Sequence, residues 1–150
     1  MDELRDLYQE IILDHNKNPQ NFHKLVDADF TLEGFNPLCG DHYTFYLKLD
    51  GETIEDIGFE GSGCAISKAS ASLMSSILKG KRKEEAEHLF SLFTDIVTGK
   101  IDPAEHIEEL GKLAAFAGVA DFPVRVKCAT LPWHTMHGAL QGKQDNITTE

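Results

Sequence analysis

The sequence predicts an α+β fold, in which a small antiparallel three-stranded sheet has helices packed on one of its faces. Two observations carry this prediction. Apolar and polar residues alternate from Tyr43 to Leu49, which is typical of a strand with one buried face. After Cys64 the apolar residues instead recur at helical spacing, and this pattern continues through most of the chain that follows.

The first predicted element is an amphipathic helix that ends between Asn16 and Pro19. Its apolar residues recur every three or four positions: Leu4, Leu7, Tyr8, Ile11 and Ile12. The predicted strand from Tyr43 ends at Asp50-Gly51, a pair that tolerates the positive φ angles of a tight hairpin turn.

Two further strands complete the predicted sheet. Ile57 and Phe59 continue the alternation after the hairpin, and residues 31–35 can supply the third strand. Ile54 falls out of phase with Ile57 and Phe59, so we expect a β-bulge between them.

Four helices are predicted after the sheet. One runs from Ile66 to Leu78 and stops at Gly80, and one contains residues 89–97, with Phe90 and Phe93 as core aromatics, and stops at Gly99. The other two begin at helix-start signals, and the polar tail after them, residues 141–150, is expected to fray. The third helix starts at Asp102-Pro103 and carries its apolar residues at Ile107, Leu110, Leu113 and Ala114. The last helix runs from Pro123 to about Leu140.

Composition predicts a single domain over residues 1–150. A chain of 150 residues with 41% hydrophobic and 26% charged residues is large enough to bury its own core. No secretory signal and no apolar run of membrane-spanning length is visible, so we expect a cytoplasmic protein without membrane contact. The net charge of −11 argues against nucleic acid and favours either simple solubility or docking of a basic partner protein.

The chain has three cysteines, each beside glycine or charged residues: Cys39, Cys64 and Cys128. An odd number cannot close into a complete set of internal disulfides, and a reducing compartment favours metal-binding or catalytic thiols. Cys64 lies where a glycine loop passes into a helix, and the amides there stabilise a thiolate. Arg125 and Lys127 beside Cys128 favour a thiolate in the same way, unless they are only solvated charges.

Three thiolates and the carboxylate of Asp41 make four ligands for one tetrahedral ion, and soft sulfur ligands favour zinc or an iron–sulfur centre. Gly40 allows Cys39 and Asp41 to point at one atom. No Cys-x-x-Cys pair occurs, so spacing alone leaves both a metal site and ordinary buried or turn roles open. His134 and His137, three apart on the last predicted helix, are expected to be surface histidines rather than ligands.

Four segments, in this order, resemble the U-type iron–sulfur cluster assembly proteins, the family of IscU and the NifU N-terminal domain. The resemblance covers the chain from about Leu4 to Leu140. The matching segments are Leu7–His15 with Asn18-Pro19, Asn36–Asp41, Gly61–Ser67 with Ala69–Ser72, and Pro123–Leu131.

Within that family the sequence is similar to the SufU branch of Gram-positive bacteria. The IscU scaffolds have a histidine where this chain has Lys127, and a shorter stretch between the second and third cysteines. The resemblance implies a SufE/IscU-like fold and a zinc-dependent acceptor that takes persulfide sulfur from a SufS-type, pyridoxal-phosphate-dependent cysteine desulfurase. It also implies zinc ligands at Cys39, Asp41, Cys64 and Cys128.

Cys39 is the expected sulfur acceptor, and Arg125 is expected to steady negative charge or to contact the desulfurase. The alternative is a scaffold that carries a transient iron–sulfur cluster and passes it to apoproteins. A purely structural zinc domain is a third hypothesis. An independent small-molecule active site is not expected, since the sequence has no glycine-rich phosphate loop and no convincing nucleophile with its base.

Overall fold

The computed structural model describes residues 2–142 and 147–148 and has an α+β architecture. The predicted fold class is confirmed. In chain order the elements are α1 (Asp2–Lys17), β1 (Phe30–Asn36), β2 (Asp41–Asp50), β3 (Thr53–Ser62), α2 (Ala65–Leu78), α3 (Lys83–Val97), a 3₁₀ helix (Pro103–His106), α4 (Ile107–Leu110), a second 3₁₀ helix (Gly111–Asp121), α5 (Pro123–Leu140) and β4 (Ile147–Thr148).

The three long strands form the predicted antiparallel sheet, with β2 in the middle. The hairpin turns at Asp50-Gly51, where Gly51 has φ 62°. The expected bulge is also present: Leu49 pairs with Ile54, whereas Lys48 pairs with Asp56. The extra residue turns Ile54 back into the core, where it is fully buried.

A fourth, two-residue strand extends this sheet. Ile147–Thr148 pairs in parallel with Gly34 and Phe35 of β1. The prediction that the whole tail frays is therefore wrong for these two residues, because the edge of β1 offers backbone groups with which they pair. Gln141 and Gly142 do not fray either, since their amides donate to the carbonyls of His137 and Ala139 at 3.1 and 3.0 Å. Residues 143–146 and 149–150 lie outside the described residues.

The core lies between the sheet and the helices α2, α3 and α5. Phe45 and Phe59 stack on the inner face of the sheet at 5.6 Å, and Phe93 stacks on Trp133 at 4.7 Å between α3 and α5. Phe93 is buried as predicted, and Phe90 packs against the edge of the same cluster. The helix boundaries predicted from Gly80, Gly99 and Pro123 are confirmed.

The segment after Asp102 differs from the predicted α-helix. Asp102 caps it as expected, since its Oδ1 accepts a hydrogen bond from the Ala104 amide at 3.0 Å. The α-helical part lasts only from Ile107 to Leu110 and ends at Gly111, which has φ 52°. A 3₁₀ helix follows, and the large buried side chains in and just before it recur every third position, which is compatible with three residues per turn: Leu110, Leu113, Phe116 and Val119.

This arrangement gathers the cysteines at one end of the sheet. The β1–β2 connection carries Cys39, the start of α2 follows Cys64, and the first turns of α5 carry Cys128. Among the described residues, none of the helices is both long enough and apolar enough to cross a bilayer.

Candidate thiol and metal site

The β1–β2 connection presents Cys39 at the rim of the site. Asn36 and Asp41 pair at the ends of the two strands, and the Cys39 amide donates a hydrogen bond to the Asn36 carbonyl at 3.3 Å. Gly40 has φ 72°, which turns the chain back into β2. Cys39 is thereby partly exposed, whereas Asp41 is only 2% exposed.

Cys128 lies directly beneath Cys39. The two sulfur atoms are 3.1 Å apart, and Cys128 is fully buried on α5. Both cysteines are free thiols. The two sulfurs and a carboxylate oxygen of Asp41 all lie within 4.8 Å of one another. Within the described residues this is the single group of three or more such side chains close enough to hold one ion.

Cys64 borders this group. Its backbone amide donates to Asp41 Oδ1 at 2.8 Å, while its sulfur accepts the Ser67 amide at 3.4 Å and caps α2. The Cys64 thiol is near enough to raise the pKa of Cys128, although it is not among the ligand atoms that lie within 4.8 Å of one another. The structure thus brings Cys39, Asp41 and Cys128 together and places Cys64 next to them, and its role as a fourth ligand stays a prediction.

Asp41 is held by three hydrogen bonds. Oδ1 accepts from the Cys64 amide and from Ser67 Oγ, the latter at 3.0 Å, and Oδ2 accepts from Asn36 Nδ2 at 2.9 Å. Asn36 Nδ2 also lies 3.4 Å from Cys128 Sγ, and Tyr43 OH lies 2.9 Å from Ser67 Oγ. The carboxylate therefore has fixed partners on β1 and α2.

Sequence reasoning assigned no role to Asn36, Tyr43 or Ser67 at this site, although the positions of Tyr43 and Ser67 carried a signal. Tyr43 is two residues after Asp41 on a strand, so both side chains point to the same face. Ser67 is three residues after Cys64, the position at which a helix-capping residue meets the first turn.

The prediction that charged neighbours favour a thiolate at Cys128 is wrong for the protein without metal. Burial raises the pKa of Cys128, and the hydrogen bond to Cys39 and the charge of Cys64 raise this pKa further. Arg125 is exposed at the start of α5, and its pKa is raised by the neighbouring cysteines Cys128, Cys64 and Cys39, so its guanidinium lies near the thiols. The Lys127 side chain is exposed.

Burial also raises the pKa of Tyr43 at the inner end of the site. Its hydroxyl therefore keeps its proton and is available as a hydrogen-bond donor.

An open cavity of about 640 Å³ adjoins Cys39 and Arg125. Three large apolar side chains in its wall are exposed to an unusual extent: Leu38 at 64%, Phe122 at 63% and Val124 at 53%. Exposed apolar residues clustered in one place are typical of a protein contact surface. We refer to Leu38, Phe122 and Val124 as the apolar rim.

The donor set fits zinc. Zinc takes thiolate and carboxylate ligands in tetrahedral geometry. Two sulfurs bound at ~2.3 Å to one such ion are about 3.8 Å apart. The observed distance between the Cys39 and Cys128 sulfurs is 3.1 Å, so the two sulfurs would move apart by about 0.7 Å on binding one ion. Ligation would also remove the thiol proton that burial retains on Cys128.

The two histidines of α5 lie outside this site. His137 Nδ1 is 2.6 Å from Glu87 Oε2, and its ring stacks on Phe90 at 4.5 Å. His134 meets the same ring edge-on at 5.3 Å. Both are partly buried rather than on the open surface, because α3 packs against them.

Fold and site together define a small α+β protein whose free cysteines meet one buried aspartate at an open end of the sheet. Comparison with known families gives this class its name. The NifU-like N terminal domain family matches residues 7–129, and the chain belongs to that family. The resemblance inferred from the sequence is confirmed.

Relatives carry two kinds of name. The chain is 41% identical to "Iron-sulfur cluster assembly scaffold protein IscU" of Streptococcus pyogenes serotype M1, over 94% of this chain and 87% of the relative. It is 44% identical to "Zinc-dependent sulfurtransferase SufU" of Bacillus subtilis strain 168, over 89% of this chain and 88% of the relative.

A solved structure has the same fold. It is the crystal structure of an iron–sulfur cluster assembly scaffold protein for the SUF system from Fervidobacterium islandicum AW-1. It superposes with a TM-score of 0.82 at 39% identity and covers 91% of this chain and 98% of its own.

Proposed function

We propose that this chain serves iron–sulfur cluster biogenesis as a zinc-dependent sulfur acceptor that takes persulfide sulfur from a cysteine desulfurase. The observation that carries this proposal is the pairing of a partly exposed Cys39 with a buried Cys128 at 3.1 Å, beside Asp41. The family membership and the zinc-dependent sulfurtransferase among the relatives support it.

Cys39 is the acceptor in this proposal. It lies in a connection between strands and opens onto the cavity, whereas Cys128 is fully buried and Cys64 caps a helix. A partner's persulfide can therefore reach the Cys39 sulfur without rearrangement of the core.

The transfer is a thiol exchange that needs no external oxidant. The Cys39 thiolate attacks the outer sulfur of the desulfurase persulfide and forms a new S–S bond. The S–S bond on the desulfurase breaks, and its electron pair leaves with the desulfurase cysteine as a thiolate. Arg125, which lies near the three thiols, offsets the negative charge that passes between the two proteins.

Cys39, Asp41, Cys64 and Cys128 hold the zinc ion in this proposal. Zinc, when bound, keeps the thiols deprotonated and ordered. Cys64 joins the set by turning its side chain from Ser67 towards Cys128, a change between staggered rotamers. Cys64 thereby gives up two weak contacts with Ser67, one to the amide at 3.4 Å and one to Oγ at 3.7 Å.

The partner is a SufS-type, pyridoxal-phosphate-dependent desulfurase, and its docking surface is the apolar rim around Cys39. A protein partner is favoured over a small substrate because the cavity is broad, open and walled by exposed apolar side chains.

Downstream, the sulfur goes to the assembly machinery and then to apoproteins. We place the whole chain, residues 1–150, in one working unit in the cytoplasm, where reducing conditions keep its thiols free.

The second candidate is a scaffold that assembles an iron–sulfur cluster on Cys39, Cys64 and Cys128. The relative from Streptococcus pyogenes, named as a scaffold, favours it. Colour separates the two candidates, because a zinc protein is colourless and a protein with an iron–sulfur cluster is brown.

Substitution of Cys39 tests the acceptor. We expect Cys39→Ala to abolish the acceleration of desulfurase turnover, with the fold retained in circular dichroism. A Cys39→Ala protein that accelerates the desulfurase as well as the wild type does would refute the assignment.

Substitution of the apolar rim tests the docking surface. Val124→Asp places a charge in the rim and should weaken desulfurase binding about tenfold or more. Val26→Asp is the matched control, because Val26 is 99% exposed and lies outside the cavity. Equal binding by the two variants, measured by calorimetry, contradicts docking at this surface.

A further inference from the structure

A chain of hydrogen bonds links the core of the protein to Asp41. Tyr43 OH lies 2.9 Å from Ser67 Oγ, and Ser67 Oγ lies 3.0 Å from Asp41 Oδ1. Tyr43 and Ser67 are fully buried, and Asp41 is 2% exposed. Water therefore does not compete for these contacts as it would at the surface.

The direction of the bonds follows from the proton count of each group. An ionised carboxylate only accepts, so Ser67 donates its one hydroxyl proton to Asp41. The Ser67 oxygen is then an acceptor, and Tyr43 supplies a proton to it. The Cys64 carbonyl lies 3.1 Å from Ser67 Oγ and competes for the same proton, so the tyrosine bond helps to direct the serine towards Asp41.

The packing around Gly63 leaves these groups little freedom. A Cβ atom at Gly63 would lie 2.5 Å from Asp41 Oδ1, 2.7 Å from Ser67 Oγ and 2.7 Å from Tyr43 OH. All three polar atoms therefore close around the backbone of one glycine. The carboxylate is fixed on one side by this glycine and on the other by Asn36 Nδ2.

We propose that Ser67, supported by Tyr43, is a positioning residue that holds the Asp41 carboxylate facing Cys39 and Cys128. The inference rests on the proposed function, because Asp41 is a metal ligand there. Ser67 and Tyr43 touch neither the metal nor the transferred sulfur. Ser67 Oγ also lies 3.7 Å from Cys64 Sγ, a contact that Cys64 gives up when it turns towards the metal, so both residues act on the bound ion through Asp41. Partners that orient a ligand in this way are typically worth about 10–100-fold in metal affinity.

The test compares zinc affinity in single variants. We expect Ser67→Ala to bind zinc about 10–100-fold more weakly, measured by competition with a chromophoric chelator. Tyr43→Phe removes only a hydroxyl and keeps the ring in the core, so it stays testable if Ser67→Ala fails to fold. Its affinity should fall in the same direction by a smaller factor, about threefold or more.

Ser70→Ala is the matched control. Ser70 is equally buried on α2, and its hydroxyl donates to the Ala129 carbonyl at 2.6 Å. The substitution removes one buried hydroxyl from the same helix without touching Asp41. Its zinc affinity should stay within about twofold of the wild type, which separates positioning from a general loosening of α2.

Two further readouts distinguish a positioning role from a structural one. With Co²⁺ as the probe, Ser67→Ala and Tyr43→Phe should shift the visible absorption bands of the bound ion, and Ser70→Ala should not. In the Ser67→Ala background, Tyr43→Phe should change zinc affinity by less than about twofold, because its route to Asp41 is already missing.

The outcomes separate this inference from the proposed function. The positioning role is overturned if Ser67→Ala and Tyr43→Phe both keep wild-type zinc affinity and an unshifted cobalt spectrum. This holds whether or not Cys39→Ala loses sulfur acceptance. A wild-type protein that binds no zinc overturns the metal site and the positioning role together. Loss of affinity in Ser67→Ala, with sulfur still accepted by Cys39→Ala, overturns only the acceptor assignment.

Discussion

Gly63→Ala tests how tightly the site is built, because it adds one methyl group where three functional side chains meet. The new Cβ would lie 2.5 Å from Asp41 Oδ1, whereas ordinary contact begins near 3.4 Å. The carboxylate oxygen must therefore retreat by about 0.9 Å. The φ angle of Gly63 is not in the left-handed region, so the effect is one of space and not of backbone strain.

A displacement of this size should cost function more than stability. Misplacing a reacting group by 1 Å can slow a reaction about 100-fold, and forcing a methyl group into a packed interior typically costs about 1–3 kcal/mol. We therefore expect Gly63→Ala to fold, to lose about 1–3 kcal/mol of unfolding free energy in urea, and to accept sulfur about 10–100-fold more slowly.

Gly118→Ala is the control for Gly63→Ala. Apart from its chain neighbours and its own helix backbone, no atom of the described residues lies within 4 Å of a Cβ placed at Gly118, so the substitution should leave sulfur acceptance unchanged. If Gly63→Ala binds zinc and accepts sulfur as well as Gly118→Ala does, the reasoning that Gly63 sets the position of Asp41 is refuted.

Three further predictions follow from single contacts. Asn36→Ala removes a buried donor to Asp41 and should lower the unfolding free energy in urea by about 1–3 kcal/mol, and an unchanged midpoint contradicts this. Arg125→Lys keeps the charge but loses the planar fork, so desulfurase-dependent sulfur acceptance should fall about tenfold or more with the melting temperature retained. Burial, and then the charge of Lys112, lower the pKa of His15 below its ordinary 6.5, so the unfolded state binds more protons. The contribution of His15 to stability should be constant above pH 6.5 and fall as the pH drops from there towards the folded pKa. His15→Asn should lessen that fall, and equal pH profiles of the two proteins would count against it.

Local pattern was enough to predict the sheet and most of the helices. Alternation from Tyr43 and the Asp50-Gly51 turn defined the hairpin, and the out-of-phase Ile54 predicted the bulge. These features depend on neighbours in sequence, so a single chain reveals them. The segment after Asp102 was harder, because its apolar residues fit an α-helix as well as the 3₁₀ helix that forms.

The sequence indicated residues that come together in the structure but not how they are arranged. Cys39, Asp41 and Cys128 do meet, but only packing decides that Cys64 turns to cap its own helix. The pKa of Cys128 was wrongly predicted because burial, which a sequence does not display, outweighs the charges beside it. The pairing of Ile147–Thr148 with β1 likewise depends on where a sheet edge lies in space.

The role of the cysteines is tested most directly by measuring metal and sulfur on the same preparation. Zinc and iron are quantified in the purified protein, desulfurase and cysteine are then added, and the modified residue is located by mass spectrometry. The account predicts one zinc per chain, no visible colour and one additional sulfur atom on Cys39. A brown protein that contains iron and sulfide, or a sulfur adduct that is absent from Cys39, would contradict it.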